Sequence, residues 1–184
     1  MIARQRPWPR AWLMTDERMG ERLWTAIDRL PAGSGIVFRH YSMPPDTRAM
    51  LAERIAEFCH RQGLTLAVAG DAGLARSIGA DLVHNPTRSS GLPFSRSIHS
   101  MAEAETAKAE GASLVFVSAV FATRSHPGRE PLGVAKAAEI ARAAAVPAIA
   151  LGGMTALNFT QLEREGFYGW AGIDAWLGEE GVRT

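Results

Sequence analysis

The sequence predicts an α/β protein whose eight parallel strands close into a (β/α)8 barrel, also called a TIM barrel. Short apolar runs alternate with longer amphipathic stretches along the chain, which is typical of a parallel sheet covered by helices. Eight such runs can be counted, and no linker, charge run or low-complexity segment separates them. We therefore expect a single domain over residues 1–184.

The predicted strands share high apolar content and are followed by polar or glycine-containing turns. They cover residues 11–14, 35–38, 64–69, 81–84, 94–99, 113–117, 148–151 and 168–173. The predicted helices lie between them, over residues 21–30, 47–62, 72–78, 101–110, 133–144 and 158–165. A last helix is expected to begin at Asp174, and Asp46 is expected to cap the second helix.

The chain is short for this architecture, since such barrels usually have about 250 residues and rarely fewer than about 200. Its 184 residues, divided among eight units, leave about 23 residues for each. The segment 85–93 is polar and shows no helical pattern. We therefore predict a compact barrel in which a loop replaces the helix after the fourth strand.

Charge and composition exclude several functional classes. Twenty Lys and Arg residues balance nineteen Asp and Glu residues, so net charge gives no basis for binding nucleic acid or an anionic membrane. No apolar run approaches the roughly 20 residues of a membrane span, and the N-terminal stretch lacks the apolar region of a secretory signal. The single cysteine, Cys59, fits a reducing compartment. We expect a cytoplasmic protein.

A pair of glycines, Gly152 and Gly153, follows the seventh predicted strand directly. Glycines let backbone N–H groups approach an anion, and barrels often bind phosphate with the loops after strands 7 and 8. Gly172 and Ile173, at the end of the eighth strand, would form the other half of such a site. A tight turn that requires glycine is the alternative explanation.

Arg39 ends a strand whose other residues are apolar, where a cation needs a carboxylate or an anionic ligand. Asp16 or Asp71 would be its protein partner, and a bound anion is the functional alternative. The loop after the sixth strand carries Thr123, Arg124, Ser125 and His126, which suit a phosphate or diphosphate. A solvated connection would explain that loop equally well.

Three histidines, His40, His84 and His99, fall at predicted strand ends. Histidines that converge at a barrel mouth can bind a transition metal. These three come from different strands and lack the spacing that would place two ligands together, so a structural role is favoured. Cys59 lies mid-helix with no visible base and is expected to be inert.

Several motifs are similar to those of the thiamine phosphate synthase superfamily, which also contains the TenI-like thiazole tautomerases. The similarity covers almost the whole chain and is most specific in its C-terminal half. The matching stretches are Trp12-Leu-Met-Thr-Asp, Phe38-Arg39, Ser97-Ile-His99, residues 118–123, and residues 147–153 with Asn158.

The resemblance implies an enzyme that joins a hydroxymethylpyrimidine diphosphate to a thiazole phosphate and releases diphosphate in thiamine biosynthesis. It implies that Arg39 and Ser97 bind the diphosphate and that Thr123, Ser125 and the nearby His126 lie in the loop that covers it. It also implies that the thiazole phosphate is bound by Gly152, Gly153, Gly172 and Ile173. It also implies a Mg²⁺ ion, for which Asp71 is the remaining candidate ligand.

The chain departs from the family pattern where the metal is expected. The stretch after the fourth strand, Asn85-Pro-Thr-Arg-Ser, carries no carboxylate, and Tyr41 stands where the family has a lysine. A synthase lacking these groups would have weak or altered activity. Two alternatives therefore stay open: a catalytically inactive TenI-like protein that binds thiazole or thiamine phosphate, and a thiazole tautomerase-like isomerase. The expected partners are phosphorylated pyrimidine and thiazole metabolites; monomer and homo-oligomer both stay open.

Overall fold

A computed structural model describes residues 7–88, 91–123, 128 and 130–178 of the chain. Its eight parallel strands form a closed barrel in sequence order, and β1 pairs with β8 to close it. The strands are β1 Ala11–Met14, β2 Gly35–Phe38, β3 Thr65–Ala69, β4 Leu82–His84, β5 Phe94–Ile98, β6 Leu114–Val117, β7 Ala148–Leu151 and β8 Gly169–Gly172. The predicted (β/α)8 class is confirmed.

Six α-helices cover the outside of the described barrel. They are α1 Arg22–Asp28, α2 Pro45–Gln62, α3 Ala72–Ser77, α4 Met101–Ala109, α5 Val134–Ala144 and α6 Ala156–Arg164. Short 3-10 helices follow β1 at Glu17–Met19 and β8 at Asp174–Trp176. Among the described residues between β4 and β5 there is no helix, as the polar character of that segment predicts.

The start of α2 differs from the prediction. The helix begins at Pro45, its N-cap is Pro44, and no side chain caps it, so the expected Asp46 cap is wrong. A proline at the first helical position has its backbone angle preset for the helix and has no N–H that needs a partner. Asp46 instead lies within the first turn, where a carboxylate interacts favourably with the helix dipole.

Two apolar layers stabilise the barrel. The inner layer fills the barrel itself, where Trp12 and Phe116 pack edge to face with ring centroids 5.5 Å apart. The outer layer lies between the strands and the helices and includes Ile36, Ile55 and Ile140. Because side chains alternate along each strand, one strand supplies both layers.

No helix in the described part of the chain is long and apolar enough to cross a bilayer.

Candidate functional site

The two glycines after β7 are required by the backbone and by close packing. Gly152 and Gly153 have φ values of 96° and 63°, in the region that favours glycine. A Cβ on Gly152 would lie 2.7 Å from the Cβ of Ala119, and one on Gly153 would lie 2.6 Å from the carbonyl oxygen of Ala122. The loop after β6 therefore packs directly on this pair, and the tight-turn explanation holds whether or not a ligand binds.

The ends of β7 and β8 lie side by side at the rim. A Cβ on Gly172 would lie 3.5 Å from the carbonyl oxygen of Met154, so the end of β8 lies close to the loop after β7. Within the described residues, the backbone N–H groups of Gly152, Gly153 and Ile173 donate no hydrogen bond to protein. These donors suit an anion such as a phosphate group.

The helix that follows this rim has its own cap. The Thr155 hydroxyl accepts the N–H of Asn158, and the Asn158 side chain accepts the N–H of Thr155. The Asn158 amide also donates to the carbonyl oxygen of Gly153 at 2.9 Å. This capping box fixes the turn between the glycine pair and α6. Asn158, part of the family-like signature, therefore acts by shaping the loop.

Arg39 has a protein partner on β1. Its Nε donates to the carbonyl oxygen of Thr15 at 2.7 Å, and its Nη2 lies 3.4 Å from a carboxylate oxygen of Asp16. The Asp16 carboxylate is bound more closely by Arg18, whose guanidinium is the main cause of its pKa of about 2. Burial lowers the pKa of the Arg39 guanidinium. Of the two structural partners considered for Arg39, the structure selects Asp16.

Asp71 is engaged by the protein on two sides. Its carboxylate accepts the N–H of Leu74 as the N-cap of α3 and lies 3.6 Å from a guanidinium nitrogen of Arg48. Arg48 is itself buried and donates to the carbonyl oxygens of His40 and Ala69. Sequence reasoning missed Arg48, because a charged residue on an amphipathic helix is usually solvated.

Ser97 faces the inside of the barrel beside a buried histidine. Its hydroxyl lies 3.1 Å from Nε2 of His84, and its N–H donates to the side-chain oxygen of Asn85. The other ring nitrogen of His84 lies 2.9 Å from the hydroxyl of Ser95. Ser95 was also missed, although the spacing of two residues places both serines on one face of β5.

The loop after β6 is held at its base. The N–H of Phe121 donates to the carbonyl oxygen of Gly152, and the N–H of Leu132 donates to the carbonyl oxygen of Ala119. Thr123 is half-buried in this loop. Ser125 and His126, predicted to line the same loop, lie outside the described residues.

The three strand-end histidines do not meet. His40 lies 3.0 Å from the Thr15 hydroxyl, and burial lowers the pKa of its imidazole. His84 contacts the two serines of β5, and His99 pairs with Glu103 on α4. Among the described residues, no three His, Cys, Asp or Glu side chains form a group able to hold a metal.

The described residues therefore fit the implied Mg²⁺ ion poorly. Such an ion is usually bound by one or two carboxylates together with substrate phosphate oxygens and water. Asp71 is the candidate that the sequence left, and its carboxylate already caps α3 and faces Arg48. We assign no chemical step to a metal.

These observations define a class of protein: a (β/α)8 barrel in which the ends of β7 and β8 present backbone N–H groups suited to an anion. The chain matches the model of the thiamine monophosphate synthase family over residues 12–176, and it belongs to that family.

Sequence and structure comparisons agree with this membership. The thiamine-phosphate synthase of Methanoculleus marisnigri is 33% identical over 187 residues, covering 93% of this chain and 89% of that protein. The thiamine-phosphate synthase of Roseiflexus castenholzii is 29% identical over 189 residues, covering 91% and 80%. The solved thiamine phosphate pyrophosphorylase of Pyrococcus furiosus, 21% identical, superposes with a TM-score of 0.79 over 95% of this chain and 90% of that one. This last similarity establishes the fold.

Proposed function

We propose that the protein is a thiamine phosphate synthase that acts at the carboxyl rim of its barrel. In this reaction the thiazole nitrogen forms a bond to the methylene carbon of the pyrimidine. The bond from that carbon to the diphosphate oxygen breaks, and the diphosphate leaves with the electron pair. The observation that carries the proposal is the close approach of the β8 end to the loop after β7, where the N–H groups of Gly152, Gly153 and Ile173 donate to no other described residue.

The proposed roles combine those that the family resemblance implies with the rim position of the described residues. The thiazole phosphate would bind the backbone of Gly152, Gly153, Gly172 and Ile173. The diphosphate would bind near Arg39 and Ser97, with Thr123, Ser125 and His126 in the covering loop. Arg39 would move from the carbonyl of Thr15 toward the anion, since its contact with Asp16 is long at 3.4 Å. Developing negative charge on the diphosphate would be stabilised by this guanidinium. The buried free thiol of Cys59 agrees with a reducing compartment, and we propose that the reaction takes place in the cytoplasm.

The test is formation of thiamine phosphate from the two substrates at high enzyme concentration, with and without Mg²⁺. We expect turnover in wild type and a loss of about tenfold or more in Arg39→Met, since a hydrogen bond to a charged group contributes about 1.5–3 kcal/mol. Arg54→Met is the matched control, because Arg54 is exposed on α2 and lies over Trp24. No product in wild type, despite bound ligand, would refute the synthase assignment.

Backbone binding at the glycine pair is tested separately. Substitution at Gly153 would disturb the packing of the β6 loop and give an ambiguous result. Amide NMR spectra with added thiazole phosphate avoid this difficulty. We expect the signals of Gly152, Gly153 and Ile173 to shift, while those of Gly63 and Gly111, outside the rim, stay in place. Unchanged signals at the glycine pair under saturating ligand would refute the phosphate site.

A second candidate is a protein that binds thiamine phosphate or thiazole phosphate without synthase activity. The engagement of Asp71 by α3 and Arg48, with no metal-holding group among the described residues, favours this candidate. Calorimetry with thiamine phosphate, thiazole phosphate and diphosphate distinguishes the two. Binding of all three with turnover supports the synthase, and binding of the monophosphates alone without turnover supports the second candidate.

A further inference from the structure

Three polar side chains surround the imidazole of His84 inside the barrel. Nδ1 lies 2.9 Å from the hydroxyl of Ser95, and Nε2 lies 3.1 Å from the hydroxyl of Ser97 and 3.2 Å from the amide nitrogen of Asn85. The edge of the Phe116 ring packs against the imidazole, with centroids 5.1 Å apart. Only 2% of His84 is exposed, so both nitrogens of its imidazole depend on neighbouring side chains for hydrogen bonds.

The orientation of the Asn85 amide determines which nitrogen of His84 carries the proton. The backbone N–H of Ser97 donates to Oδ1 of Asn85 at 2.8 Å, which identifies that atom as the acceptor. The amide nitrogen, a donor, therefore faces Nε2 of His84. Nε2 must then be the unprotonated nitrogen, and Nδ1–H donates to the hydroxyl of Ser95.

This tautomer sets the direction of the Ser97 hydroxyl. Because Nε2 has no hydrogen to give, Ser97 can only donate to it, and the serine lone pairs are left for other donors. We infer that Asn85 holds His84 as the Nδ1–H tautomer, and that His84 is a positioning residue which orients the hydroxyl of Ser97. When an anion binds, Ser97 can turn its hydrogen toward the anion, since Asn85 still donates to Nε2.

The electrostatic surroundings keep His84 neutral. Burial is the main cause that lowers the pKa of its imidazole to about 3, and the guanidinium groups of Arg39 and Arg96 lower it further. Arg39 directly follows β2 and Arg96 lies on β5, and these two arginines are the charged groups that act on the ring. The orientation of Ser97 is therefore independent of pH near neutrality. The anion-binding part of this inference rests on the proposed function, and the tautomer does not.

The first experiment is ¹⁵N NMR of histidine-labelled wild-type protein. We expect a protonated Nδ1 and an unprotonated Nε2 for His84, with no titration between about pH 5 and 8, the range in which an ordinary histidine titrates. A protonated Nε2 in wild type would overturn the inference without need of any variant.

Asn85→Asp is the sharpest variant, because it keeps the shape and the acceptor for the Ser97 N–H. Its second carboxylate oxygen accepts where the amide nitrogen donated, so Nε2 must now carry a hydrogen. We expect a protonated Nε2 and a raised pKa that brings the titration of His84 toward the observed pH range. Ser97→Ala is the matched control and should keep the wild-type tautomer. An unprotonated Nε2 in folded Asn85→Asp would contradict the role of Asn85.

Added inorganic diphosphate tests the turning of the hydroxyl. In wild type the Nε2 signal should shift as Ser97 leaves it, and Nε2 should stay unprotonated. Ser97→Ala should show no such shift and should bind diphosphate about tenfold or more weakly, the usual scale for one hydrogen bond to a charged group. Protonation of Nε2 on binding would overturn the inference. Absence of any diphosphate binding to wild type would contradict the proposed function instead, and the tautomer would still be decided by the apo spectra.

Discussion

The guanidinium of Arg48 donates to the carbonyl oxygen of Ala69 at 2.9 Å and so joins α2 to the end of β3. The same group donates to the carbonyl oxygen of His40 and lies over the ring of Phe38. One buried side chain thereby orders the segment that carries the candidate arginine, Arg39. The conformation of the chain after β2 and β3, next to the proposed site, therefore depends on Arg48 of α2.

We predict that Arg48→Met lowers the free energy of unfolding by about 2–4 kcal/mol. Methionine covers Phe38 much as arginine does, but it leaves the carbonyl oxygens of His40 and Ala69 without their donor, at about 1–3 kcal/mol each before relaxation. Urea unfolding measures the change. Arg54→Met, exposed on the same helix, should stay within about 0.5 kcal/mol of wild type. Equal effects from the two substitutions would contradict the role of Arg48.

We predict that Gly152→Ala destabilises the protein more than Gly111→Ala does. Both glycines have positive φ, 96° and 77°, so both substitutions carry backbone strain of about 1–2 kcal/mol. The new Cβ at Gly111 meets nothing within 4 Å, whereas at Gly152 it meets Ala119. We expect a further loss of about 1–3 kcal/mol at Gly152 from overpacking. Thermal or urea unfolding measures the loss of stability in each variant. A difference near zero between the two losses would show that the β6 loop moves away from the new Cβ at no cost.

We predict an acid-dependent contribution to stability from Asp16. Its pKa lies at about 2 in the folded protein, below the ordinary value of 3.8, mainly because of the hydrogen bond from Arg18. A lowered folded pKa means that the contribution is present above about pH 4 and is lost as pH falls through about 2. Asp16→Asn keeps a cap for the 3-10 helix and removes the charge.

The measurement for Asp16 is the free energy of unfolding against pH. Asp16→Asn should show a shallower loss of stability between about pH 4 and 2 than wild type. Asp28→Asn, which removes one carboxylate at an exposed position on α1, is the control for the change in net charge. Parallel curves for wild type and Asp16→Asn would count against the ion pair.

We predict that Cys59 is unreactive in the folded protein. Burial is the main cause that raises the pKa of its thiol to about 12, so the thiol stays protonated at pH 8. An aromatic disulfide reagent should report almost no free thiol in native protein and one thiol per chain after unfolding. Rapid modification under native conditions would mean that α2 opens locally.

Much of the fold could be predicted because each unit carries its own local pattern. The apolar run of Ala148–Leu151 and the following glycines identify a strand and a turn without reference to the remainder of the chain. The lack of a helix among the described residues between β4 and β5 was equally predictable, since the stretch around Asn85 has no helical repeat of apolar residues. The cap of α2 was misread because Pro45 and Asp46 both favour a helix start, and the fixed φ of proline decided the position.

The site was less predictable because its geometry depends on pairings between distant strands. The sequence identifies Arg39 as a cation that needs a partner. Only the closed barrel places Asp16 beside Arg39 and pairs Asp71 with Arg48. The buried role of Arg48 has no local signal, since its partners are carbonyl oxygens from two other segments. Backbone acceptors cannot be distinguished by residue type.

The sequence by itself determined the barrel class, the glycine pair after β7 and the family resemblance, because these depend on short-range periodicity and on residues close together in the chain. Only the tertiary structure decided what surrounds each polar group. It placed the β6 loop against Gly152 and Gly153, and it joined His84 to Ser95, Ser97 and Asn85. Hydrogen bonding and charge pairing act over a few ångströms in space, and that distance is set by how the strands close.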